Sequence, residues 1–194
     1  MSAGIGHNSG FVSEPGAGWR RHCWRRARAD LLPSLPIEVV RLRVKRAAEI
    51  GLDYRTYASV RASSGHDVVA FLFSTNALRL LREGQPLPGE RVRKLAALQG
   101  AARLIAVQPP LSVGAVAQAL TGQGVTPDIV APAPAAFAGW GRVRRDIRGL
   151  LAPGRHAPDT VLVIGETMAE REWAEAAGLA GYLAAERYFA PLAG

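Results

Sequence analysis

Two unbroken apolar runs constrain this chain more than any other feature of it. Val68-Val69-Ala70-Phe71-Leu72-Phe73 and Val161-Leu162-Val163-Ile164 hold no polar side chain. A strand with one wet face alternates polar and apolar residues, so unbroken runs of this length are the pattern of strands buried on both faces. Each run ends in turn-forming residues, Ser74-Thr75-Asn76 and Gly165-Glu166-Thr167. Shorter strands are predicted at 103–107, 127–131 and 181–184, and the clearest at 160–164. Helices are predicted between them, at 88–99, 112–121, 137–151 and 167–177. Strands alternating with helices give an α/β fold, a three-layer parallel sheet with right-handed crossovers and helices on both faces.

Ahead of the first run the character differs. Residues 1–18 are small and polar and read as a tail; residues 19–64 read as a basic helical region; the α/β domain occupies 65–194. Within the basic region, apolar positions recur at helical spacing over 37–50 and 53–64. The segment before them packs Arg20, Arg21, Arg25, Arg26 and Arg28 together with Trp19 and Trp24. On a helix, Arg21, Arg25 and Arg28 share a face. Guanidinium groups fork onto phosphate or carboxylate oxygens, and indoles stack on exposed bases. A second cluster, Arg142, Arg144, Arg145 and Arg148, lies on the helix at 137–151 and reads either as a binding patch or as a solvated face.

The charge balance agrees with an anionic partner. Lys and Arg total 24 against 16 Asp and Glu, a formal charge of +8, and only Lys45 and Lys94 are lysines. The expected partners are nucleic acid or an acidic protein; a genome that favours arginine codons would give the same composition. Cys23 is the sole cysteine, so no intramolecular disulfide can form. The opening residues lack the basic start and apolar core of a signal peptide. No apolar run approaches the roughly 20 residues that span a bilayer. The expectation is a cytoplasmic protein with no membrane partner.

In a parallel sheet, ligands sit beyond the carboxyl ends of the strands. Those ends carry Ser74-Thr75-Asn76, Gln108, Pro132-Ala133 and Gly165-Glu166. Ala70-Phe71-Leu72-Phe73-Ser74-Thr75-Asn76, then Leu80 to Gly89, then Glu90 to Leu98 resemble the opening strand, flap and helix of the haloacid-dehalogenase (HAD) phosphatases. Val163-Ile164-Gly165-Glu166, then Glu170, then Ala176-Ala177-Gly178 resemble that superfamily's closing motif. The similarity covers residues 67–189 and implies a HAD-like or Rossmann-like fold.

The resemblance also marks what is missing. The family's nucleophilic aspartate, which becomes an aspartyl-phosphate, falls on Ser74, and its acid/base partner falls on Asn76. Its serine or threonine after the second strand falls on Gln108, and no lysine follows Lys94. Glu166 and Glu170 alone keep the acidic character of the magnesium-binding pair. The implied function is a non-catalytic domain with no cofactor. The alternative is an atypical phosphohydrolase in which Glu166 and Glu170 hold magnesium, a cation that requires several oxygen ligands in near-octahedral array. From the residues alone, Ser74, Thr75 and Asn76 read equally as an exit turn. Glu166 and Glu170 read equally as first-turn carboxylates favoured by the helix dipole, with Thr167 as N-cap. Of His7, His22, His66 and His156, none stands where it could activate Ser74.

Overall fold

The computed structural model describes residues 35–191. The arginine and tryptophan cluster at 19–30, Cys23, His7 and His22 lie outside the described residues. The residues from Arg41 onward form one compact unit, which carries the sheet. The described residues form seven α-helices and five strands in the order α1 (Ile37–Glu49), α2 (Tyr54–Ser64), β1 (Ala70–Ser74), α3 (Gly89–Ala97), β2 (Ala102–Val107), α4 (Val113–Gly122), β3 (Ile129–Pro132), α5 (Trp140–Leu151), β4 (Val161–Gly165), α6 (Met168–Ala177), β5 (Gly181–Ala184) and α7 (Ala185–Phe189). No described helix is long and apolar enough to cross a membrane.

The strands make one sheet in the order β3-β2-β1-β4-β5, and every pairing is parallel. The two apolar runs are its centre: Ala70 pairs with Val161, Leu72 with Val163 and Phe73 with Ile164. All five residues of β1 and of β4 are buried, as their lack of alternation requires. Side-chain direction alternates along each strand. One face of the sheet presents Phe71, Phe73, Ile105, Val107, Leu162 and Ile164 to α1, α2, α3, α4 and α7. The other presents Ala70, Leu72, Leu104, Ala106, Val161 and Val163 to α5 and α6. Helices therefore cover both faces, a Rossmann-like arrangement.

Local chemistry sets the helix ends. Asp53 caps α2 by accepting from the Thr56 N–H at 2.8 Å, and Gly65 ends it at φ 78°. Helix α5 begins at Trp140 rather than 137, because Phe137 takes a left-handed backbone, φ 61°, that no helix can include. Helix α7 is an addition to the sequence reading. The segment Leu80–Pro88, which the resemblance casts as a flap hairpin, forms turns and contributes no strand.

The amino edge of the sheet is tied by one carboxylate. Asp67 accepts from the Tyr57 hydroxyl at 2.8 Å, from the Val68 N–H at 2.8 Å and from Arg46 Nε at 3.0 Å. Arg46 also donates to the carbonyls of Val68 and Gly100 at 2.9 and 3.0 Å. Burial, then the bond to Asp67, raises the pKa of Tyr57; burial raises that of Tyr188 in the core.

These two phenols contribute to the response to alkali. In the unfolded chain they ionise near pH 10, while in the fold they stay neutral to higher pH. Above about pH 10 the unfolded state therefore holds fewer protons than the fold, and stability falls as pH rises. Lys94 is pushed down by burial. It acts in the opposite sense only below its unfolded value near 10.4, so it leaves the fall intact. The urea midpoint is expected to drop between about pH 10.5 and about pH 11.5, above the range in which Lys94 acts, and to drop less in Tyr188→Phe. A midpoint that holds steady over that range would contradict the assignment.

Candidate functional site

Strand order reverses at β1, whose chain leads to β2 on one side while β4 lies on the other. In open α/β sheets the crevice at the carboxyl end of such a switch point is where ligands sit. The exits of β1, β2 and β4 bring Ser74, Asn76, Gln108, Glu166 and Glu170 to this one edge.

Glu170 is the hub. Its carboxylate is fully buried. Oε1 accepts from Asn76 Nδ2 at 3.1 Å and from Gln108 Nε2 at 3.0 Å. Oε2 accepts from the backbone N–H groups of Glu166 at 2.5 Å and Thr167 at 2.8 Å. A carboxylate offers about four lone-pair sites, and these four donors fill them. Glu170 also completes a capping box with Thr167, whose hydroxyl accepts from the Glu170 N–H at 3.4 Å. The N-cap role read for Thr167 from sequence is thus found, and the same glutamate ties helix α6 to the exits of β1 and β2.

Close packing seals the cluster. A Cβ built on Gly165 would stand 2.7 Å from the Tyr182 ring and 2.8 Å from both Cβ and Oε2 of Glu170. Only glycine lets the chain leave β4 this near the carboxylate. Burial first, and Glu170 second, raises the pKa of Tyr182. Thr75 Oγ1 accepts from the Gln108 N–H at 3.1 Å and locks the exit of β1 to that of β2.

Ser74 and Glu166 stand apart from the hub. The Ser74 hydroxyl is fully buried and accepts from the Ala77 N–H at 2.9 Å, closing the turn after β1. Glu166 contributes its backbone to the hub, but its carboxylate lies 3.8 Å from Arg79 in a solvent-facing pair. His66 pairs with Asp159 at 3.3 Å, in the segments that precede β1 and β4 at the amino edge, so neither reaches Ser74. Among the described residues no three His, Cys, Asp or Glu side chains gather as a metal centre would need.

No protein-family model, curated protein or solved structure matches this chain. Its chemistry is therefore read from its own residues.

Sequence reasoning missed Arg79 and Arg91. Arg91 is buried on the first turn of α3, with its guanidinium 4.7 Å above the Phe189 ring. Its Nε and Nη1 have no hydrogen-bond partner among the described residues. Burial first, and then the like charge of Arg79, lowers its ionisation, while Glu166 and Glu90 oppose that. The signal was present in the spacing, since Leu87, Arg91, Leu95 and Leu98 fall four, four and three apart on one buried stripe. Two orphaned donors cost more than one cation–π contact returns. Arg91→Leu is therefore expected to raise stability by about 1 kcal/mol in urea denaturation, and a loss would show that the guanidinium has a partner.

Proposed function

We propose that this chain is a non-catalytic, HAD-like α/β domain that binds a phosphate-bearing partner, nucleic acid, through Arg20, Arg21, Arg25, Arg26, Arg28 and Trp24. The observation that carries the non-catalytic part is the saturation of Glu170. A carboxylate whose lone pairs all accept protein donors has none to turn toward a cation or a proton in transit. The position of the family's nucleophile holds a buried serine with no base beside it among the described residues, and the position of its acid/base partner holds an amide that donates to Glu170. The strand order with β1 at the switch point and the gathering of the motif positions at one edge support the HAD-like reading. The nucleic-acid part rests on the clustered arginines and indole, whose groups suit phosphates and bases.

Two measurements test it. A phosphatase screen with magnesium is expected to give no turnover above background. Turnover that disappears in Glu166→Gln would instead establish a metal-dependent phosphohydrolase. A gel-shift titration across salt is expected to show affinity falling steeply as salt rises. Replacing all five arginines of 20–28 with glutamine is expected to flatten that slope, and an affinity indifferent to both changes rejects the reading.

A further inference from the structure

The corner between β3 and α5 carries two exposed aromatic side chains whose placement nothing in the fold explains. Phe137 is 106% exposed and Trp140 56%. The Phe137 backbone sits at φ 61°, a left-handed conformation that is a genuine outlier for a bulky side chain. Strain of this kind persists where the surroundings enforce it, and it clusters at binding sites. Here both the strain and the bare apolar surface go uncompensated among the described residues.

Four arginines follow these rings along α5. Helix α5 buries Val143, Ile147, Leu150 and Leu151 and turns Arg142, Arg144, Arg145 and Arg148 outward, with Asp146 as its one acid. Arg144 Nε donates to the Ala176 carbonyl at 2.8 Å, and Arg148 Nη2 to that of Ala177 at 3.5 Å, so both brace the end of α6. Each keeps its remaining N–H groups for another acceptor. Arg142 pairs with Asp146 at 2.9 Å in a solvent-facing bridge, which an incoming anion displaces at little cost. Arg145 has no side-chain partner among the described residues. Trp140, Arg144 and Arg148 recur every four residues, which sets them in one row along the helix.

We infer that this corner binds single-stranded nucleic acid, with bases stacked on Phe137 and Trp140 and phosphates held along the arginine row. The inference rests on the reading above only for the kind of partner and places part of its binding on a different surface. Aromatic faces beside arginines are the pairing that single strands use, since a duplex keeps its base faces stacked away from side chains. An apolar protein surface would meet the rings but leave the net positive charge of this helix face unanswered.

Fluorescence anisotropy of the full chain, with a labelled single-stranded DNA of about a dozen nucleotides and with the matching duplex, tests this across salt. Phe137→Ala and Trp140→Ala are each expected to weaken single-strand binding about five- to hundredfold without changing the salt slope. Phe137→Tyr retains binding, because it keeps an aromatic face. Arg145→Ala lowers the slope by about 0.7. Binding by the duplex is expected to be weaker and indifferent to both aromatic changes.

The variant with glutamine at 20, 21, 25, 26 and 28 separates the two surfaces. If it still binds and remains sensitive to Phe137→Ala, the corner stands and the N-terminal reading falls. If it loses all binding while Phe137→Ala binds like wild type, the corner is overturned and the N-terminal reading stands. Absence of binding by any form overturns both, and loss of self-association in Phe137→Ala without any DNA binding reassigns the corner to contacts between copies of the chain.

Discussion

Replacing Glu170 with alanine is expected to lower the unfolding free energy by about 3–5 kcal/mol, among the largest losses any single substitution in this chain produces. The size follows from what is left behind rather than from the carboxylate itself. Removing it strands the amides of Asn76 and Gln108 and the N–H groups of Glu166 and Thr167, all of which point at a fully buried position. Unsatisfied buried donors cost about 1–3 kcal/mol each, and partial entry of water into the vacated space keeps the total below their sum. Glu170→Gln is the informative companion. It keeps the volume but turns one oxygen into a donor that faces a pair of donors, so an intermediate loss of about 2 kcal/mol is expected. Urea denaturation followed by circular dichroism ranks the three proteins. A Glu170→Ala protein as stable as wild type would mean that the hub is not the structural centre of this edge.

Phe73→Ala is expected to cost a similar 3–5 kcal/mol, by a different route. Phe73 lies on the central strand with no exposed surface, and its ring centroid is 5.8 Å from Phe71, 5.6 Å from Tyr188 and 6.3 Å from Phe189. The last two belong to α7, a helix of five residues. A helix that short has no stability of its own, so packing against β1 is what holds it. Deleting the Phe73 ring therefore opens a cavity in the core and loosens the last helix together. Hydrogen exchange at residues 186–190 is expected to speed up more than exchange at β2, beyond what the global loss explains. Uniform acceleration across both would separate α7 from the aromatic cluster. Val69→Ala, one residue before β1 and 38% exposed, serves as a control, with an effect within about 0.5 kcal/mol.

The sheet was legible in the sequence because its signal is local: unbroken apolar runs closed by turn residues mark β1 and β4, and shorter apolar stretches alternating with helical patterns mark the other three strands. The edge that holds the candidate site was legible too, since parallel strands alternating with helices must present their carboxyl ends together. The state of Glu170 was not. Its partners Asn76 and Gln108 lie 94 and 62 residues away, and no spacing rule reaches that far. A glutamate on the first turn of a helix looks the same whether it will cap, bind a cation or gather amides from two other strands. Helix α7 was invisible for a related reason, because five residues are too few for a period and partners distant in sequence, Phe71, Phe73 and Lys94 among them, fix them. Phe137 hides in the same way, since a left-handed backbone at a phenylalanine leaves no mark in composition.

The central place of β1 bears on how the molecule comes into being. Its β2 neighbour is made soon after it, but its β4 neighbour follows roughly ninety residues later. Until residues 161–165 emerge, a nascent chain carries its most apolar strand with one edge unpaired, which is the geometry that recruits wrong partners. Such long-range closure also slows folding, because the entropy of the loop is lost before the pairing returns anything. The chain is committed to its native order only once β4 has been synthesised, and the exposed edge of β1 is the point at which a holding chaperone would act on it.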